Sequence, residues 1–436
     1  MFRSSRHLVQ AYFVATSLVL ILVFSITGVT RADGASATVP VGPSPFALAF
    51  DPTNGDVYVA NEGSHTVSVI SGSSNVLVAT VTVGSSPQGV AFDAVNGEVY
   101  VANFNSRTVS VISGSSNTVV ANVTVGSHPS AIAVDSANGD VYVANFWAGT
   151  VSVISGSTNQ VQATVTVGPG PVALAFDPEN GDVYVANVDS GTISVISASS
   201  NTVVATVPVG TGPVALVCDS ANGDVYVANQ NAKGSDTVSV ISGSTNTVKA
   251  TVTIGSVEGT TAAIAFDSVN GEVYVANSGL GIGPGIVDAI SGSTNTIVAA
   301  IPVGTDPMAL VTDSTDGDVY AANENSNGSG TIYRISGSTD KVEGAALVGA
   351  SPVALAFDSA NREVFVANLG SNSVSVVAPS AFAPPSTTVT STTPEFLSGA
   401  LPVVAAVALA LAALVARRVS SRRFGSTSRS KHLPSK

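Results

Sequence analysis

The sequence predicts an all-β fold, an eight-bladed β-propeller of four-stranded antiparallel blades. Three observations support this prediction. The phrase Gly-Asp/Glu-Val-Tyr-Val-Ala-Asn recurs eight times with small variations, at spacings of 42 to 48 residues. Each copy lies in a unit of four short strand-like segments, and the last unit lacks a segment that the chain's N-terminal part can supply. The aromatic residue of the phrase stands at Tyr58, Tyr100, Tyr142, Tyr184, Tyr226, Tyr274, Tyr320 and Phe365.

The second unit shows how the segments are arranged. Its predicted strands and turns are Gln88–Phe92, a turn at Asp93–Glu98, Val99–Ala102, a loop at Asn103–Arg107, Thr108–Ser113 and Val119–Val125. Segments this short, rich in β-branched residues and bounded by turn residues, indicate strands rather than helices. The first two strands are apolar on both faces, as expected for a sheet packed between two neighbouring sheets.

Closure of the ring follows from the two ends of the repeat region. The eighth unit ends after its third strand, Ser373–Val377, so its fourth strand is missing. Ala37–Val41 (ATVPV), ahead of the first unit, has the same sequence as the fourth strand Ala205–Val209. We therefore expect the N-terminal segment to complete the last blade of a propeller spanning residues 38–378, which leaves no open edge.

The composition limits the classes of function. Between Thr38 and Ala378 the chain has six basic and 27 acidic residues, a formal charge of −21. Such a body would repel phosphates, which argues against nucleic acid as a partner. Cys218 is the only cysteine, so neither an intrachain disulfide nor a Cys-based zinc site can form.

The two ends of the chain carry targeting signals. Residues 1–37 read as a signal peptide, because Arg3, Arg6 and His7 precede the apolar run Ala11–Val29. Cleavage and retention as an anchor both place the acidic propeller outside the cell. Residues 379–395 form a Pro/Ser/Thr-rich stalk, 396–416 a charge-free transmembrane helix, and 417–436 a basic tail. Because basic residues favour the cytoplasmic side, the C-terminus is expected inside.

Two resemblances follow from these motifs. The repeats over Ala37–Val377 resemble the YVTN-type β-propeller family of archaeal surface-layer and bacterial periplasmic proteins, with Tyr-Val-Ala-Asn in place of Tyr-Val-Thr-Asn. Structures of that family are best known with seven blades, whereas this sequence contains eight units. Pro394, Glu395 and Phe396, followed by the apolar helix and an Arg cluster, resemble an archaeal PEF-type sorting signal. That resemblance implies processing that removes the transmembrane helix.

Paired acids recur in every unit, at the end of the first strand and five residues later. We interpret them as hairpin residues, in which Asp caps backbone NH groups and Asn-Gly supplies positive φ. The alternative is a ring of Ca²⁺ sites, since carboxylates suit hard cations. All eight turns lie on one face in this topology, so that face should be acidic. The metal candidates are Asp51, Asp56, Asp93, Asp135, Asp140, Asp177 and Asp182. The Asn that ends each repeat phrase is expected to close the next loop by side-chain–backbone hydrogen bonds.

The opposite face is expected to carry any recognition surface, because there the loops differ between repeats. Aromatic and basic residues are concentrated in adjacent units on this face, and the simpler alternative is that they only pack the loops. The ligand-binding candidates are His65, Phe104, Arg107, His128, Phe146 and Trp147. Asn122 and Asn327 are N-glycosylation candidates.

Nothing in the sequence forms a catalytic constellation, and no cofactor is predicted. Cys218 aligns with Phe176 of the preceding unit, which predicts a core position. The preferred function is a cell-surface-anchored module for binding, adhesion or envelope structure, with other envelope proteins or glycans as partners. The alternative is an extracytoplasmic enzyme, similar to lactonase or quinone-dehydrogenase propellers with a site in the channel. The innermost strands read as too apolar for such a site.

Overall fold

The computed structural model of the protein describes residues 33–230, 235–255, 260–278, 284–325 and 327–382. Within these residues the chain forms eight sheets, seven of four strands and one of five. Neighbouring strands that belong to the same blade all pair antiparallel. The prediction of an eight-bladed propeller is therefore confirmed, and the seven-bladed alternative is excluded.

The strands follow one another along the chain in the order of the predicted units. Two short strands, β1 (Asp33–Gly34) and β2 (Ala37–Pro40), precede the first blade. Blades one and two contain β3 (Pro45–Asp51), β4 (Asp56–Asn61), β5 (Thr66–Ser71), β6 (Val76–Thr82), β7 (Pro87–Asp93), β8 (Glu98–Asn103), β9 (Thr108–Ser113) and β10 (Thr118–Thr124). Blades three and four contain β11 (Pro129–Val134), β12 (Val141–Asn145), β13 (Thr150–Ser155), β14 (Gln160–Thr166), β15 (Pro171–Asp177), β16 (Asp182–Asn187), β17 (Thr192–Ser197) and β18 (Thr202–Pro208).

The second half of the ring repeats the same arrangement. Blades five and six contain β19 (Pro213–Asp219), β20 (Asp224–Asn229), β21 (Thr237–Ser242), β22 (Thr247–Thr253), β23 (Thr260–Asp267), β24 (Glu272–Ser278), β25 (Ile286–Ser291) and β26 (Ile297–Pro302). Blades seven and eight contain β27 (Asp306–Thr312), β28 (Val319–Glu324), β29 (Gly330–Ser336), β30 (Lys341–Val348), β31 (Pro352–Asp358), β32 (Glu363–Asn368) and β33 (Ser373–Val377). The first strands of successive blades lie side by side around the axis, and β31 lies beside β3. The first strands are therefore innermost.

The N-terminal strand closes the ring as the sequence predicts. Strand β2 pairs antiparallel with β33, and Val39 lies opposite Val374. Val39 is buried among side chains of the first and eighth blades. Strand β1 was not predicted, and it pairs in parallel with the outer edge of blade seven, with Asp33 opposite Ala346.

The hydrophobic core is divided into layers between successive blades. Between the first and second blades, Tyr58, Val67 and Val69 pack against Val99 and Val101. All five side chains are fully buried, and each such residue contributes about 1.5–3 kcal/mol of hydrophobic free energy on burial. This layer recurs around the ring, which explains why the second strand of every unit is apolar on both faces.

The described chain continues a short way past the last strand. Pro379–Ala381 form one 3-10 turn, and Phe382 packs 5.3 Å from the ring of Tyr320. The beginning of the predicted stalk therefore packs into the layer between the seventh and eighth blades, while residues 383–395 lie outside the described residues. The predicted signal peptide up to residue 32, the transmembrane helix 396–416 and the basic tail also lie outside them. Among the residues that the structure describes, no helix has the length and apolar character needed to span a bilayer.

Candidate functional site

The antiparallel order of the strands gives the propeller two faces. The turn face holds residues 51–56 and 71–76 of the first blade and their equivalents in the others. The loop face holds residues 61–66, the link 83–87 and their equivalents. The predicted acidic turns and the predicted recognition loops therefore lie on opposite faces.

The paired acids of the turn face act as hairpin residues. Oδ1 of Asp51 accepts a hydrogen bond of 2.8 Å from the backbone NH of Thr53, and Asp93 does the same for Val95. Asn54 caps the NH of Asp56 at 2.7 Å. The same bond to the residue two positions later is made by Asp135, Asp177, Asp219, Asp267, Asp313 and Asp358.

The first acid of each pair is buried, so it adds less to the acidity of this face than the sequence suggested. Oδ2 of Asp51, Asp93, Asp177 and Asp267 has no partner in the described part of the chain. Burial raises the pKa of Asp93, Asp177 and Asp267 above the usual carboxyl range. The acidity of the turn face therefore rests mainly on the second acids, which are mostly partly exposed.

The calcium candidates do not form a shared ligand set. Within the described residues, no three His, Cys, Asp or Glu side chains stand close enough together to hold a metal ion. Asp56 and Asp182 start the second strands opposite Asp51 and Asp177, and Asp140 accepts a hydrogen bond from Gln162. Their observed contacts are those of turn and strand residues.

The repeated Asn near the end of the second strand is buried in every blade and fixes the loop that follows. Nδ2 of Asn103 donates to Oγ1 of Thr108 and to Oγ of Ser110, at 3.1 and 3.0 Å. The partners are thus mainly hydroxyl side chains of the third strand, whereas the sequence suggested backbone groups. The link glycine Gly84 packs against this Asn, since a Cβ there would lie 2.6 Å from Cγ of Asn103.

The loop face brings four of the six ligand-binding candidates together in one aromatic cluster of Phe104, His128, Phe146 and Trp147. The ring of His128 meets Phe104 edge-on at 4.7 Å and lies 5.3 Å from Trp147. Phe146 meets Trp147 at 6.4 Å. Trp147 is still 71% exposed. The cluster therefore packs the loops and also presents a broad aromatic surface to solvent.

A pocket of about 350 Å³ opens beside this cluster, and we call it the Trp147 pocket. Its walls come from the loop of blade three, the link to blade four and the loop of blade four. The lining residues are Phe146, Trp147, Ala148, Gly149, Pro169, Gly170 and Asp189. Asp189 was missed by the sequence analysis. It stands in the loop of blade four where Trp147 stands in blade three, so aligning the two loops would have placed it beside the cluster.

The two remaining candidates, His65 and Arg107, lie on the same face but outside the aromatic contacts. Both residues have left-handed backbones, with φ of 58° and 56°, immediately before a third strand. Nδ1 of His65 accepts a hydrogen bond of 3.1 Å from the NH of Ser86, so its ring closes a link. Within the described residues the Arg107 side chain makes no hydrogen bond or ion pair, and it is exposed.

The innermost strands are largely apolar, as the sequence indicates. Within the described residues they contain no histidine, and their acidic residues stand at the strand ends. In two blades the residue after the link proline is exposed, Phe46 at 40% and Met308 at 36%. Cys218 is half-buried and packs between the fourth and fifth blades, where burial raises the pKa of its thiol.

The glycosylation candidates are both exposed. Asn122 stands in the outer strand β10, and its Oδ1 accepts a hydrogen bond from Ser110. Oδ1 of Asn327 accepts from the NH and Oγ of Ser329 in a loop. Modification of either residue stays a prediction.

Two family models match parts of the chain. One, described as a YNCE-like beta-propeller, matches residues 85–270. The other, described as Lactonase, 7-bladed beta-propeller, matches residues 274–395. Neither description concerns a surface layer or a sorting signal, so those two expectations stay predictions. No curated protein matches the sequence.

Solved structures add a likeness of fold. A chain of the Kuenenia stuttgartiensis Hydrazine Synthase is 15% identical with a TM-score of 0.56, covering 82% of this chain and 99% of that one. Saccharomyces cerevisiae Sqt1 is 13% identical with a TM-score of 0.68, covering 80% and 99%. At these identities the likeness concerns the fold alone. Taken with the eight sheets, the family models place this chain among the β-propeller proteins.

Proposed function

We propose that the protein is a binding module that works outside the cell and recognises its partner through the loop face. The observation that supports this most is the exposure of Trp147 beside a pocket on the loop face. Large aromatic side chains are enriched among the residues that dominate binding energy. The partner is an envelope protein or a glycan.

The cellular setting of the proposal comes from the sequence. Residues 1–37 direct export, and 396–416 hold the propeller at the membrane with the C-terminus inside, unless a sorting step removes the helix. The stalk, residues 379–395, joins the propeller to this helix and presents the propeller outwards as a binding, adhesion or structural module.

Binding of the full-length protein to native envelope fractions tests the proposal. Trp147→Ala should reduce the bound amount at least roughly tenfold, as expected for a central aromatic residue. Val95→Ala is the matched control, because Val95 is an exposed apolar residue of the turn face. Equal binding by wild type and Trp147→Ala would contradict the proposal.

The lactonase model over residues 274–395 favours a second candidate, an extracytoplasmic enzyme with a site in the channel. A panel of aliphatic and aromatic lactones, assayed for ring opening with and without added divalent cations, tests it. Hydrolysis that is abolished by Met308→Arg at the channel mouth, and kept by Trp147→Ala, would favour the enzyme over the binding module.

A further inference from the structure

The Trp147 pocket combines a flat aromatic wall with an unpaired carboxylate. We propose that it binds a neutral carbohydrate, with a sugar ring stacked on Trp147 and sugar hydroxyls donating to Asp189. This inference rests on the proposed function, because it names the chemical class of ligand that the same surface takes.

Trp147 is held as a stacking surface by its neighbours. The link residue His128 precedes blade three and lies against the indole at 5.3 Å, whereas Pro169 and Gly170 follow that blade and line the pocket. His128 is itself anchored by a 2.8 Å hydrogen bond between its Nδ1 and Oγ of Ser127. The indole thus lies between the ring of His128 and the pocket. The C–H groups on the flat side of a sugar suit the electron-rich face of such a ring.

Asp189 supplies the polar side of the pocket. Within the described residues its carboxylate makes no hydrogen bond or ion pair, and it is exposed. Gly170 lets the carboxylate lie close to the link, since a Cβ there would be 2.6 Å from Oδ2 of Asp189 and the backbone φ is +68°. A hydroxyl donating to a carboxylate makes a charge-assisted bond, roughly twice as strong as a neutral one.

Charge selects among sugars. Among the residues that the structure describes, no Lys or Arg lines the pocket, and the propeller region as a whole has a formal charge of −21. Sulfated or phosphorylated glycans would face repulsion from both the body and Asp189. A pocket of about 350 Å³ lies within the size range of small-ligand sites and favours one or two sugar units.

Fluorescence provides a direct measurement, because Trp147 is the only tryptophan of the chain. The full-length protein in detergent is titrated with neutral oligosaccharides of hexoses and N-acetylhexosamines, and with sulfated oligosaccharides of the same length. We expect at least one neutral oligosaccharide to change the emission and to bind more tightly than its sulfated counterpart. Calorimetry gives the affinity of variants that lack the tryptophan.

The variants separate the two groups of the site. Trp147→Ala should weaken binding about tenfold or more, and Trp147→Phe should restore most of it. Asp189→Ala should weaken it about fivefold. Glu179→Ala is the matched control, since Glu179 is an exposed acid on the turn face of the same blade.

Two results would overturn the carbohydrate proposal. One is the absence of binding by every neutral oligosaccharide at millimolar concentration, and the other is equal binding by wild type and Trp147→Ala. If envelope fractions still bind through Trp147 in the first case, the carbohydrate proposal fails and the binding module stands with a protein partner. If neither the fractions nor the sugars depend on Trp147, both proposals fail.

Discussion

The phenol oxygen of Tyr58 in blade one lies 2.7 Å from Oδ1 of Asn117 in blade two. Tyr58 is fully buried, and this burial raises the pKa of its hydroxyl to about 12. The tyrosine of the repeat phrase is therefore a bond between blades as well as a core residue. The same contact joins Tyr100 to Asn159, Tyr142 to Asn201, Tyr184 to Asn246, Tyr226 to Asn295 and Tyr274 to Asp340.

This series of bonds stops on both sides of the eighth blade. Oη of Tyr320 has no partner in the described part of the chain, because the eighth blade lacks the turn between its third and fourth strands. Phe365 has no hydroxyl, and Oδ1 of Asn75 in the first blade is left without a partner there. The blade closed by the N-terminal strand thus lacks this tyrosine bond on both sides, and it is joined to its neighbours by other contacts, such as the ion pair between Arg362 and Asp313.

Phe365→Tyr should stabilise the propeller. The added hydroxyl can donate to Oδ1 of Asn75, an atom that is buried and has no partner among the described residues. A hydrogen bond that satisfies such a group contributes about 1 kcal/mol, which raises Tm by about 1–2 °C in a domain of this size. In an Asn75→Ala background the gain should disappear. A gain of equal size in that background would refute the proposed bond.

Tyr226→Phe should have the opposite effect. Its hydroxyl lies 2.6 Å from Oδ1 of Asn295, which is partly buried, so removing the hydroxyl loses this bond and costs about 1 kcal/mol in the free energy of unfolding. Tyr320→Phe is the matched control, and it should change stability by less than about 0.5 kcal/mol, because no partner is lost. Urea unfolding of both variants measures the difference, and equal losses would contradict this account.

Val39→Asp should open the ring. It places a carboxylate in the layer between the first and last blades, where Val39 is 4% exposed, at a cost of about 3 kcal/mol or more. Thr38→Asp on the exposed side of the same strand should cost little. Limited proteolysis of the two variants, read by mass spectrometry, should show early cleavage in the eighth blade for Val39→Asp alone. Equal resistance of both variants would mean that β2 does not hold the ring closed.

The sequence was sufficient to predict the repeat, the four strands of each blade and the closing strand, because each of these features has a local sequence pattern that recurs along the chain. Ala37–Val41 could be recognised as a fourth strand only because Ala205–Val209 has the same amino-acid sequence. Strand β1 and the packing of Phe382 against Tyr320 have no counterpart in the other repeats, so comparing the repeats with one another could not reveal them. Asp189 was missed for a related reason, since its role depends on a neighbour in the previous blade rather than on its own surroundings in the sequence.

The buried turn aspartates make stability depend on pH. Burial raises the pKa of Asp93, Asp177 and Asp267, so the folded state binds more protons than the unfolded state between the usual carboxyl pKa and the raised value. Stability therefore falls as pH rises through that window. The pKa of Asp313 shifts in the opposite direction. Burial opposes ionisation of this carboxyl, but hydrogen bonds from Thr315 and Arg362 outweigh the effect of burial and lower the pKa.

Thermal unfolding at pH 5 and pH 7.5 tests this balance. We expect a higher Tm at pH 5 than at pH 7.5, because the raised pKa of Asp93, Asp177 and Asp267 favours the protonated, folded state at the lower pH. Asp93→Asn mimics the protonated carboxyl, so it should raise Tm at pH 7.5 and reduce the difference between the two conditions. Asp313→Asn should lower Tm at pH 7.5, because it removes the charge that pairs with Arg362. A higher Tm at pH 7.5 for the wild type, unchanged by Asp93→Asn, would show that the buried carboxylates are stabilised in their ionised form.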